Sequence, residues 1–138
     1  MTSILAQFCI HVRDMDRSLA FWEDACELKV QNRVEIPDVL EVMLQADEGG
    51  SRLQLAQRLN MDEPIDQGSS VWKIYINTSD CQRTYDRCIA AGAESVTEPK
   101  VLDRWPVTVA FVKDPDGYLV EFVEHHQGTR EGVPDPKS

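Results

Sequence analysis

The chain has 138 residues, with 24 Asp and Glu against 14 Lys and Arg and a formal net charge of -10. That length suits one domain burying about two thirds of its unfolded surface. The acidic balance argues against a nucleic-acid or anionic-membrane partner, since both need clustered positive charge, and no apolar run approaches the ~18 residues of a membrane span.

The opening MTSILAQFCIHV has no basic lead-in and runs directly into a strand pattern over 4–12, so it is not read as a signal peptide and a cytoplasmic location is expected. Arg13-Asp14-Met15-Asp16 breaks the pattern. Asp16 is the expected cap of a helix over 17–26, with Leu19, Ala20, Trp22 and Cys26 as its apolar stripe. Strands are expected at 28–34, 39–46 and 52–57, the last two joined by a hairpin loop rich in glycine. Residues 58–70 (RLNMDEPIDQGSS) read as a linker. The order then restarts, with a strand at 71–77 and a helix capped by Asp80 and stopped at Gly92. A short strand at Ser95-Val96 and strands at 107–112 and 118–124 follow. Residues 127–138 carry no apolar periodicity and are expected to be a flexible tail. Cys9, Cys26, Cys81 and Cys88 show no C-x-x-C spacing and are expected to be small buried apolar groups, and Trp22 and Trp72 are expected in the core.

The pattern of strand, helix and three strands therefore occurs twice, at about 4–57 and 71–125 within one domain over 1–126. Gln7 corresponds to Lys73 and Gln54 to Glu121, with offsets agreeing to within about one residue, as a duplication would give. The expected fold is α+β, two tandem βαβββ modules forming a curved mixed sheet around a shared cavity. Period-two alternation turns Val120 and Phe122 toward the helix side and leaves Glu121 on the uncovered face. A carboxylate there must be solvated, paired or bound to a metal.

IHVRDMDRSLAFW (10–22), AAGAESVTEP (90–99) and AFVKDPDGYLVEFVE (110–124) resemble the signatures of the vicinal oxygen chelate superfamily, the glyoxalase, bleomycin-resistance and extradiol-dioxygenase fold. The resemblance covers about 4–125 and implies a metal site at four equivalent places, held here by Gln7, Gln54, Lys73 and Glu121. Glyoxalases carry Gln or His, Glu, His and Glu there, so Gln7 and Glu121 fit and Gln54 and Lys73 depart. A neutral amide is a weak ligand and a protonated lysine only donates. No cofactor is therefore expected, although the resemblance leaves a divalent metal open. His11 stands where those glyoxalases place a basic residue that meets the substrate's carboxylate. Arg104 and Trp105 sit in a loop before a strand, suited to gripping an anion and covering a flat ligand.

Three readings remain. In the first, a metal-independent lyase, isomerase or epimerase uses Glu121 as base and Lys73 to stabilise an oxyanion, with Gln7, Gln54, His11, Arg104 and Trp105 binding substrate. In the second, the chain is a non-catalytic drug- or metabolite-binding protein. In the third, it is a metal-dependent lyase of the lactoylglutathione type. All three take a small-molecule ligand, and the resemblance implies a homodimer.

Overall fold

The computed structural model describes residues 2–127, so the tail expected over 127–138 lies outside the described residues from 128 onward. The first module contains β1 (Gln7–His11), helix α1 (Met15–Leu19), and strands β2 (Lys29–Ile36), β3 (Val39–Ala46) and β4 (Gly49–Arg58). The second contains β5 (Ile74–Asn77), α2 (Cys81–Ala90), β6 (Glu94–Val101), β7 (Val107–Lys113) and β8 (Leu119–His125). Each module closes its own four-stranded mixed sheet, ordered β1-β4-β3-β2 in the first and β5-β8-β7-β6 in the second. In both, the first strand runs parallel to the last and the other pairs are antiparallel. The fold is α+β with two modules, and the eight strands do not close a barrel.

α1 starts two residues earlier than the expected helix. Asp14, not Asp16, is the cap: its backbone is extended and its carboxylate accepts from the Arg17 amide at 3.1 Å. Asp16 already has helical geometry, so its side chain has no orphan amide ahead of it to accept. Beyond Leu19 the helix widens into a π-helical segment, Ala20–Ala25, where the Cys26 amide reaches back to the Phe21 carbonyl. Asp80 caps α2 as expected, accepting from the Arg83 amide at 3.0 Å. Gly92, with φ +96°, ends that helix in the left-handed region a residue with a Cβ rarely enters.

The helix-facing sides of both sheets meet in one core. Ile10, Val12, Val42, Leu44 and Leu55 of the first module join Ala110, Val112, Val120 and Phe122 of the second, with Phe21, Trp22, Cys81 and Cys88 between them. Trp22, Phe21 and Phe122 are its largest fully buried side chains, each worth about 1.5–3 kcal/mol of burial. Polar ties cross the same boundary. The turn Asp114-Pro115-Asp116-Gly117 reaches the first module: Asp114 accepts from Trp22 Nε1 at 3.2 Å, and Asp116 takes the Arg13 amide, the Ser18 hydroxyl and the Arg17 guanidinium, the last at 3.0 Å. Tyr118 Oη donates to the His11 carbonyl at 3.0 Å. Cys26 and Cys88 bring their sulfurs to 3.8 Å between the helices, and burial, then the neighbouring Cys88, pushes the Cys26 thiol well up.

Two expectations of burial fail. Trp72 is 77% exposed, because β5 begins only at Ile74 and residues 72–73 precede the strand alternation that would have turned the ring inward. Cys9 is exposed, on the same sheet face as Gln7 and His11. Among the described residues, no helix is long and apolar enough to cross a membrane.

Candidate functional site

Each sheet carries one polar pair on the face turned from its helix. In the first, Gln7 on β1 donates from Nε2 to Gln54 Oε1 on β4 at 2.7 Å. In the second, Lys73 Nζ meets Glu121 Oε1 on β8 at 2.6 Å. The four residues singled out from the sequence are thus joined two by two. Among the described residues, no hydrogen bond links one pair to the other. Neither of two clefts the structure outlines, of about 420 and 320 Å³, is lined by any of the four.

The second pair is the more enclosed. The Lys73 and Glu121 side chains are 13% and 11% exposed, and Glu121 is placed by the register: Tyr75 on β5 and Phe111 on β7 are its partners on either side. Val120 and Phe122, its sequence neighbours, are fully buried in the core and hold the strand in that orientation. Three aromatic rings surround the ammonium. Its nitrogen lies 4.4 Å from the Trp72 ring centroid, 4.7 Å from Tyr75 and 5.5 Å from Phe111, within the range of cation–π attraction. Burial by itself would lower the Lys73 pKa; its hydrogen bond to Glu121, with Tyr75 and the Glu121 charge, outweighs that and raises it above the ordinary lysine value.

This donor set does not fit a divalent metal. A lysine held protonated has no lone pair to give, and its charge repels a cation at the distances ligands occupy. The Gln7 amide nitrogen donates to Gln54, whose oxygen is thereby committed to the pair. Among the described residues, no group of three or more His, Cys, Asp or Glu is arranged to hold an ion.

The remaining residues are placed less centrally. His11 is exposed at the end of β1 and lines the smaller cleft with Phe8, Cys9, Gln67 and Tyr118. Arg104 and Trp105 are exposed and interact with each other, the guanidinium carbon 5.0 Å from the ring centroid. They make no hydrogen bond or ring contact with either pair among the described residues. His126, just past the end of β8, bonds Thr108 on β7 at 2.8 Å. Sequence reasoning missed the rings. Tyr75 and Phe111 pair across from Glu121 on either side and so share its face; register held that signal.

Residues 4–122 match the Glyoxalase/Bleomycin resistance protein/Dioxygenase superfamily. The chain is 26% identical over 128 residues to a lactoylglutathione lyase of Haemophilus influenzae, covering 90% of this chain and 93% of that protein. It is 28% identical over 123 residues to the lactoylglutathione lyase of Neisseria meningitidis serogroup A, covering 86% and 88%. Among solved structures it is similar to the trypanothione-dependent glyoxalase I of Leishmania major, with TM-score 0.76, 21% identity and coverage of 91% and 89%. It is also similar to a glyoxalase I variant from Zea mays, with TM-score 0.78, 25% identity and 87% coverage of this chain; there it spans 45% of the longer protein, about half. The same two-module topology and a family match over nearly the whole described chain lead to one conclusion: the chain belongs to the Glyoxalase/Bleomycin resistance protein/Dioxygenase superfamily.

Proposed function

We propose that this protein binds a small organic carbonyl compound at the Lys73–Glu121 pair and acts on it without a metal, as a lyase, isomerase or epimerase. The 2.6 Å contact between a cationic Lys73 and Glu121 carries this reading, because it puts a base and a positive hydrogen-bond donor at one point. Glu121 takes a proton from the carbon beside a carbonyl. Lys73 donates to the carbonyl oxygen as it gains negative charge, the role an electrophile must fill in such a step. The proton then returns to the opposite face of the same carbon, completing epimerisation; or, where that carbon carries a hydroxyl, it returns to the former carbonyl carbon while the hydroxyl proton passes to the former carbonyl oxygen, completing isomerisation; or a leaving group departs from the next carbon with its bonding electrons, completing elimination. Gln7, Gln54, His11, Arg104 and Trp105 are proposed as substrate-binding residues in a homodimer located in the cytoplasm.

Two other readings have support of their own. The names of the relatives favour a metal-dependent lyase acting on a glutathione adduct. The exposed rings around Lys73 favour binding without turnover.

Calorimetric titration of chelator-stripped protein with Ni²⁺, Zn²⁺, Mn²⁺ and Fe²⁺ separates the first. No ion is expected to bind tighter than about 1 mM; stoichiometric micromolar binding overturns the metal-free reading. Carbonyl compounds with an exchangeable neighbouring proton are then screened in deuterium oxide. Exchange that disappears in Glu121→Gln and falls about 10²-fold or more in Lys73→Met is the expected result. A ligand bound tightly, recovered unchanged and showing no exchange leaves the binding-protein reading.

A further inference from the structure

The surroundings of the Lys73–Glu121 pair restrict what it can receive. On the same sheet face the pair is flanked by Tyr75 and Phe111, its partners in register. Beyond Phe111 lies a small apolar cluster of Val107, Val109 and Val123, with Leu102 packed against it. Trp72 and Tyr75 hold Lys73 against their rings, yet are 77% and 58% exposed, leaving most of each ring open. The pair itself is internally neutral. An anionic ligand would have to compete with Glu121 for Lys73, and Lys113, on the same face, stands two residues along β7 from Phe111 and is paired in register with Leu119, not with Glu121.

We infer that the ligand class is an uncharged, flat, conjugated carbonyl compound, stacked on the rings of Trp72 and Tyr75 with its carbonyl oxygen toward Lys73. The inference rests on the Lys73–Glu121 reading and adds a chemical class to it. Aromatic rings favour a planar π-system over a saturated ring of equal size, because offset stacking adds to simple burial. Electrical neutrality keeps the ion pair intact, since removing either charge leaves the other enclosed and unpaired.

The test titrates the full chain by calorimetry with acetophenone, cyclohexyl methyl ketone and benzoate. These share size but differ in planarity or charge. Acetophenone is expected to bind about tenfold tighter than either competitor. Trp72→Ala and Tyr75→Ala are each expected to weaken it severalfold, while Trp72→Phe retains most of the affinity and guards against a folding defect. Benzoate or the saturated ketone binding as tightly as acetophenone overturns the inference, as does absence of acetophenone binding through the millimolar range. Trp72→Ala changing subunit association with ligand affinity unchanged overturns it too, because the ring is then a subunit contact. Glu121→Gln separates this inference from the catalytic reading. Ring preference kept where no exchange is found anywhere sinks only the catalysis; exchange on saturated carbonyl compounds without ring preference sinks only the ligand class.

Discussion

Lys73 and Glu121 meet at 2.6 Å, a closer relation than the one shared cavity that the duplicated register predicts for them. Of the three rings around the ammonium, Tyr75 and Phe111 follow from their register with Glu121, whereas Trp72 precedes the strand and alternation does not govern it. Asp114 shows a second residue-scale effect. Burial raises its pKa to about 6, against the lowering by hydrogen bonds from the Tyr118 and Asp116 amides and Trp22. A carboxyl raised above its unfolded value of 3.8 binds its proton more tightly in the folded state. The stability this contributes is fully present below about pH 4 and is lost as pH rises through about 6, a loss on the order of 3 kcal/mol. Urea unfolding of Asp114→Asn between pH 4 and 7 is expected to show a flatter pH dependence than the parent. An unchanged slope would mean that the parent's Asp114 is ionised throughout.

At the scale of elements, most boundaries followed from pattern and caps, and the exceptions have physical causes. The short strand expected at Ser95-Val96 is β6, which runs Glu94–Val101 and contains Pro99. It lies at the edge of its sheet, where a proline need not supply an amide to a neighbour, and its register with β7 shifts between Thr97 and Lys100. The start of α1 was misplaced because two aspartates compete for the cap. Asp14→Ala is expected to cost about 1 kcal/mol in thermal or urea unfolding and Asp16→Ala much less. The reverse ordering would return the cap to Asp16.

For the whole molecule, the signatures at 10–22 and 110–124 proved to be two sides of one contact. Asp116, with a side chain 2% exposed, binds the Arg13 amide and Arg17, and Asp114 binds Trp22. That explains why those stretches reveal the fold: the residues that fasten the modules lie within them, and Glu121, in the second stretch, points to the other face of its sheet. Asp116→Ala is expected to cost about 1–3 kcal/mol, since it leaves enclosed donors without their acceptor. Phe122→Ala, in the common core, is expected to cost about 3–5 kcal/mol. In both variants, probes placed in either module should lose signal at one denaturant concentration. Separate midpoints would show that the modules unfold independently.

That common core has a consequence for how such a chain can change over generations. Its two halves repeat each other in order, and the single transition expected of them means one shared reserve of stability. A substitution that loosens packing around Phe21 draws on the same margin that keeps Lys73 against Glu121. Divergence of one half is therefore restrained by the other, and a new ligand preference on the second sheet can be compensated by a better-filled helix in the first.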